Sequence, residues 1–159
     1  MNLKSLIKEL EEKEIYKKFL SENEGSYFTA CFNVLDLHSN STNITLDFYI
    51  PKLKKIASFE FPFNEFKLHP DEIFDAKKQS LEIEIDLDEL RDICESYLEK
   101  KKVKIKFSKI IAILQNDIWN LTCMDDFLNV VRLKINAFSG EEIHFEKASL
   151  IDFGHIRKV

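Results

Sequence analysis

Apolar and polar residues alternate with a period of two along most of this chain, and only two stretches keep the three- and four-residue spacing of a helix. In residues 3–10, Leu3, Leu6, Ile7 and Leu10 share one face, with Lys4, Lys8, Glu9 and Glu11 on the other. After Leu10 the phase slips to Ile15, Phe19 and Leu20, which predicts either a break near Glu12 or a helix gripped from two sides. The face made by Leu3, Leu6, Ile7 and Leu10 is also a candidate arm for docking on a second copy of the chain, giving a homodimer. In the second stretch, Leu87, Leu90, Ile93, Cys94, Tyr97 and Leu98 form one stripe over three turns. Asp86 and Glu89 have capping-box spacing at its start, and Lys100, Lys101 and Lys102 complement the helix dipole at its end.

Elsewhere the alternation predicts strands. Phe28, Ala30, Phe32 and Val34 alternate with polar or small residues, and after the polar run 38–43 so do Ile44, Leu46, Phe48 and Ile50, which reads as a hairpin. A third strand over residues 53–63 ends in Phe59-Glu60-Phe61-Pro62-Phe63, with three phenylalanines expected on one face and Pro62, which has no N–H, placing them near a sheet edge. Residues 64–80 are the least regular and form a seam, after which 81–86 alternates strictly. Four more strands are predicted at 103–114, 117–124, 127–138 and 142–153, with short connections that favour antiparallel neighbours. The last two are joined by Asn136-Ala137-Phe138-Ser139-Gly140, where glycine can take the positive φ of a tight turn, so that 143–151 folds back on 130–138. The chain thus reads twice as a helix and about four antiparallel strands, over residues 1–80 and 81–159. The fold is α+β, tandem helix-plus-meander units with helices on one face of the sheets, sharing one core or keeping two. Residues 31–35 and 110–114 are the corresponding first strands.

Composition narrows the function. The 3 glycines stand far apart, so no glycine-rich phosphate loop exists and the nucleotide enzymes that use one are excluded. A net charge of -5, with 23 basic and 28 acidic residues interleaved, disfavours a general nucleic-acid binder. Cys31, Cys94 and Cys123 sit among apolar residues and read as buried thiols of a reducing compartment. The N-terminal residues lack a signal-peptide pattern and no apolar run is long enough to span a membrane, so a soluble cytoplasmic protein is expected. Asn40, Asn43 and Asn120 head Asn-x-Thr triplets, which accept glycans only in a secretory lumen.

Trp119-Asn120-Leu121-Thr122 followed by Leu133-x-Ile135-Asn136-Ala137-x-Ser139-Gly140-Glu141 resembles the PepSY domain and its cystatin-like relatives, whose hairpin reads I-D-A-x-T-G-E. The resemblance covers residues 87–153, with a weaker echo in 27–61; Asn136 and Ser139 replace the family's Asp and Thr, keeping turn-forming side chains. It implies a hairpin shaped by Asn136, Ser139 and Gly140, with no active site, in a non-catalytic module that contacts proteins or peptides and regulates a peptidase.

The candidate chemistry is sparse, and no cofactor is expected. His144 and Glu146 lie two apart on one predicted strand, with Asp152 or His155 as further ligands, but a metal needs three or four converging donors. A metal-dependent hydrolase is therefore a distant alternative. Cys123 before Asp125-Asp126 has no nearby histidine and reads as a buried thiol beside a turn. Lys102, Lys104 and Lys106 share one side of a predicted strand, and Glu82, Glu84 and Asp86 share one side of another; the rows are solvated faces that would pair if adjacent, or the lysines, with Lys109, would receive an acidic partner or a phosphate backbone. Phe59, Phe61 and Phe63 form either core or an exposed partner surface. The sequence points first to a protein- or peptide-binding module, and second to a carrier of a small apolar ligand held between helix and sheet, given 14 phenylalanines.

Overall fold

The computed structural model describes residues 1–149. The chain forms α1 (Leu3–Glu11), α2 (Glu14–Glu22), β1 (Tyr27–Asp36), β2 (Ser41–Ile50), β3 (Lys55–Glu60) and β4 (Phe66–Leu68). A 3-10 turn (Leu87–Glu89) then opens α3 (Leu90–Lys100), followed by β5 (Lys109–Gln115), β6 (Ile118–Met124), β7 (Asn129–Asn136) and β8 (Glu142–Ser149). The fold is α+β, with one eight-stranded antiparallel sheet in the order β4-β3-β2-β1-β5-β6-β7-β8. Two consecutive meanders therefore meet at the β1–β5 pair, where Cys31, Asn33 and Leu35 stand opposite Leu114, Ala112 and Ile110.

One contiguous apolar cluster draws on both halves of the chain. It contains one side of the strands, including Leu46, Cys31, Leu114, Trp119 and Ile135 in a single cross-strand row, and the buried stripes of α1, α2 and α3. Leu3, Leu6, Ile7 and Leu10 are only 0–6% exposed in this cluster. The face read as a dimer arm is instead part of the chain's own core, in one cluster with residues of the sheet. The phase slip after Leu10 is a true break, since α1 and α2 are separate helices.

Other expectations need revision. Phe59 and Phe63 are fully buried while Phe61 is 37% exposed, so the three phenylalanines do not share a face. The ladder ends at Glu60, and Phe63, at φ 69°, turns its ring back into the core. The irregular seam contains the short edge strand β4, paired to β3 through Phe66 and Phe59. Residues 81–86 are not a strand. Their alternation is genuine, with Leu81, Ile83 and Ile85 partly buried, but among the described residues their only ladder-like bonds are from the N–H groups of Glu84 and Ile85 to the Ala137 carbonyl.

The segment between β4 and α3 crosses the end of the sheet held by side chains. The hydroxyls of Tyr27, Tyr49 and Thr29 donate to the carbonyls of Ala76, Ile73 and Lys77. Buried Gln79 donates to the Asp117 carboxylate and accepts from its N–H, both at 2.9 Å, and the Trp119 indole donates to the Ile85 carbonyl at 2.8 Å. Asp86 closes the crossing, because one oxygen, Oδ1, accepts from the N–H of Leu3 at 2.9 Å and of Leu87 at 2.7 Å. The Glu89 carboxylate accepts from the Asp86 N–H to complete the capping box.

Since Asp86 satisfies donors at the start of both helical segments, Asp86→Ala is expected to lose about 1–3 kcal/mol of stability. Asp86→Asn, which keeps the acceptor oxygen, should lose less; urea denaturation of the two variants measures the difference.

Candidate functional site

Both neighbours of β5 stop at the same level, and each is turned by an aspartate. At the end of β1, Asp36 Oδ1 accepts from the N–H groups of His38 and Ser39 at 3.0 and 3.2 Å. After β6, Asp125 accepts from the N–H groups of Phe127 and Asn129 and from the Asn129 amide, at 2.8–2.9 Å. The last ladder bonds run from the Leu37 N–H to the Ser108 carbonyl and from the Ser108 N–H to the Met124 carbonyl, each 2.8 Å.

The strand expected over 103–114 therefore begins only at Lys109. Residues 103–107 retain strand-like alternation, with Val103, Ile105 and Phe107 turned inward and Lys104 and Lys106 exposed. Among the described residues no strand pairs with them on either side. Among the described residues, the backbone N–H and C=O groups of residues 104–107 have no hydrogen-bond partner in the protein.

This extended segment borders a groove of about 1120 Å³ that is open to solvent. Leu98 and Phe107 are buried along it, Leu37, Val103 and Ile105 are half-buried, and Phe127 projects from its far side at 76% exposure. Its rim carries Arg91, Glu95 and Glu99 of α3, the lysines at 104 and 106, and Asp126. The His38 Nε2 proton is shared between the two Asp126 carboxylate oxygens at 2.9 and 3.0 Å, linking the β1–β2 and β6–β7 turns. The hydrogen bond and charge of Asp126 raise His38 above its ordinary value of 6.5, with Asp36 adding and Lys106 opposing. The same contact lowers Asp126.

Of the residues singled out in the sequence, Lys102, Lys104 and Lys106 are exposed in this region. The acidic row does not face them: Glu82 pairs with Lys4 at 2.8 Å, and Asp86 caps the helices. Asn136, Ser139 and Gly140 shape the β7–β8 hairpin, where Asn136 Oδ1 accepts from the N–H groups of Phe138 and Ser139, Ser139 Oγ from that of Glu141, and Gly140 sits at φ +75°. The Tyr97 hydroxyl donates to the Gly140 carbonyl at 2.8 Å, fastening that hairpin to α3.

His144 and Glu146 do emerge on one face, 3.6 Å apart, yet their cross-strand neighbours are Lys134 and Arg132, whose charges oppose a metal cation. Asp152 and His155 lie outside the described residues. Burial pushes the Cys31 thiol far up, and contact with the Cys94 thiol and burial do the same to Cys123, the reverse of what a nucleophilic thiolate needs.

One polar cluster was missed in the sequence because its members come from three separate places, the interiors of β2 and β3 and the residue that follows β4. Ser58 Oγ donates to Asp47 Oδ1 and accepts from His69 Nε2 at 2.7 Å. With its one proton directed to the carboxylate, Ser58 is not poised to lose it to the imidazole. Burial raises Asp47, against the lowering effects of Ser58 and His69, and the group is a satisfied polar relay between β2 and β3.

Comparison with family models and with curated proteins gives no match. Among solved structures, the chain is similar to a protein described as a "putative lipoprotein" from Clostridium difficile 630, at 14% identity and a TM-score of 0.54, covering 83% of this chain and 89% of that one. At that identity the likeness bears on the fold alone.

The raised His38 has a definite sign: its contact with Asp126 contributes fully below pH about 6.5 and is lost as pH rises through the folded-state value. An NMR titration should place the His38 midpoint above that of a free histidine, and Asp126→Asn should bring it back down.

Proposed function

We propose that this chain is a non-catalytic binding module that receives an extended segment of another protein along residues 104–107. The observation that carries the reading is the run of backbone donors and acceptors in residues 104–107, unpaired among the described residues and with a strand-like alternation of burial, beside a groove with an apolar floor. Main-chain pairing would supply affinity, and Leu98, Phe107, Ile105 and Phe127 would take alternate apolar side chains. Exposed Lys102, Lys104 and Lys106 favour a segment with acidic residues between its apolar ones.

The two meanders, each preceded by helix, support the further reading of two related PepSY-like units whose helices lie on one side of the shared sheet. Their corresponding first strands, 31–35 and 110–114, are the ones that pair. The resemblance makes peptidases the first partner class to test. Three buried thiols favour a reducing, cytoplasmic compartment, whereas the name of the structural neighbour describes a lipoprotein, a property of that protein. Against the apolar-carrier alternative, Leu10, Phe19, Leu90 and Trp119 fill the space between helices and sheet at 0–1% exposure, and the groove beside residues 104–107 is open to solvent and does not enclose a ligand.

A ten-residue peptide alternating valine and glutamate, titrated into the labelled protein, should shift and protect the amides of residues 104–107. The double variant Lys104→Glu, Lys106→Glu should weaken binding by roughly tenfold or more, and added salt should act likewise. Equal binding by two versions of this peptide, one backbone N-methylated at its odd positions and one at its even positions, would refute strand addition, because one of the two must lose the N–H groups that face residues 104–107.

A further inference from the structure

The side of the sheet turned away from the apolar cluster carries an ordered pattern. Across the strands, one row runs Glu60, Thr45, Phe32, Ile113, Asn120, Lys134, His144 from β3 to β8. The next runs Asn43, Val34, Ile111, Thr122, Arg132, Glu146. Phe32, Val34, Ile111 and Ile113 thus make an apolar strip astride the β1–β5 pair, with Phe32 37% exposed and the others half-buried. Hydroxyls and amides flank the strip on both sides. Beyond them lie an acid on β3 and two cations on β7.

We propose that this face is covered by a second copy of the chain, the two sheets packing face to face about a two-fold axis that runs parallel to the strands between β1 and β5. Such an axis sets each residue against the one equally far across the seam in the other copy. Phe32 then meets Ile113, Val34 meets Ile111, Thr45 meets Asn120, Asn43 meets Thr122, and Glu60 meets Lys134, every pair occurring twice. Apolar falls on apolar, amide on hydroxyl and acid on base. The other in-plane axis, perpendicular to the strands, would place the cations of β7 over one another and is opposed by their repulsion.

Aligned sheets pack at about 10 Å with strand directions within about 30°. Six strands at about 4.8 Å and seven residues at about 3.3 Å give roughly 650 Å² on each copy, or about 1,300 Å² in all. That reaches the standard size of a specific interface, about 1,200–2,000 Å².

Sedimentation analysis of the whole chain over a range of concentrations tests the assignment. The unaltered chain should be a dimer at high micromolar concentration, and Phe32→Glu should be monomeric with its thermal midpoint little changed. Lys134→Glu alone and Glu60→Lys alone should each weaken the dimer by roughly tenfold, since each sets like charges together twice. The double variant, with both charges exchanged, should dimerise nearly as well as the original. A monomer at every concentration, a dimer untouched by Phe32→Glu, or a double variant weaker than either single one would overturn the proposal.

Discussion

The antiparallel pairing of β1 with β5 is the contact on which the architecture depends. Each is the first strand of its meander, and joining them by their outer edges turns two four-stranded ribbons into one sheet. A four-stranded ribbon leaves two edges, and here one of each is paired, so that only the three-residue β4 and the outer β8 lie at the sheet's margins. The pairing also makes the core continuous: Cys31 and Leu114 lie opposite each other, between Leu46 on one side and Trp119 on the other. Asn33, buried at this centre, accepts a hydrogen bond from the Thr42 hydroxyl at 2.8 Å, which removes the desolvation cost of its carbonyl.

From that pairing follow both the chain's crossing and its groove. Because the strands that pair are not neighbours in sequence, the chain must travel from β4 at one margin to α3 and return to the middle. It does so across the sheet end, where tyrosine, threonine, glutamine and tryptophan side chains supply the bonds that a ladder would otherwise give. On arriving, it meets β1 and β6 only where those strands begin to turn away, so residues 104–107 have no paired strand among the described residues. The groove is thus a result of unequal lengths: Asp36 and Asp125 end the flanking strands before the approaching chain has joined them.

Much of this could be read from residue order, for a specific reason. Strands with one buried side and one wet side must alternate, and Val131, Leu133, Ile135 and Ala137 do so without exception. The break in the N-terminal helix, the capping box at Asp86 and the Asn136–Gly140 turn depend on neighbours within a few positions, which a linear reading sees directly. What it could not see depended on distant partners. Residues 81–86 and 103–107 alternate as well as any strand, because alternation reports burial of one side and says nothing of whether a ladder exists. The three phenylalanines at 59, 61 and 63 separate because the chain turns between them, and Ser58 meets Asp47 through the β2–β3 register and His69 through the β3–β4 pairing. The rows on the outer sheet side were equally hidden, since they need the β1–β5 register to place Phe32 beside Ile113.

The crossing between β4 and α3 carries one more consequence. Its early part, residues 70–75, is exposed throughout and is held at Ile73, whose N–H donates to the Lys54 carbonyl and whose carbonyl accepts from Tyr49, while anchoring becomes dense from Ala76 onward. A peptide bond hydrolysed in that early part would sever the chain without removing any strand from the sheet, because the two fragments interlock through β1 and β5 and through the helix cap at Leu3. The contacts that join the two parts of the fold, between β1 and β5 and at the Leu3 cap, thus lie outside the segment through which the backbone is continuous.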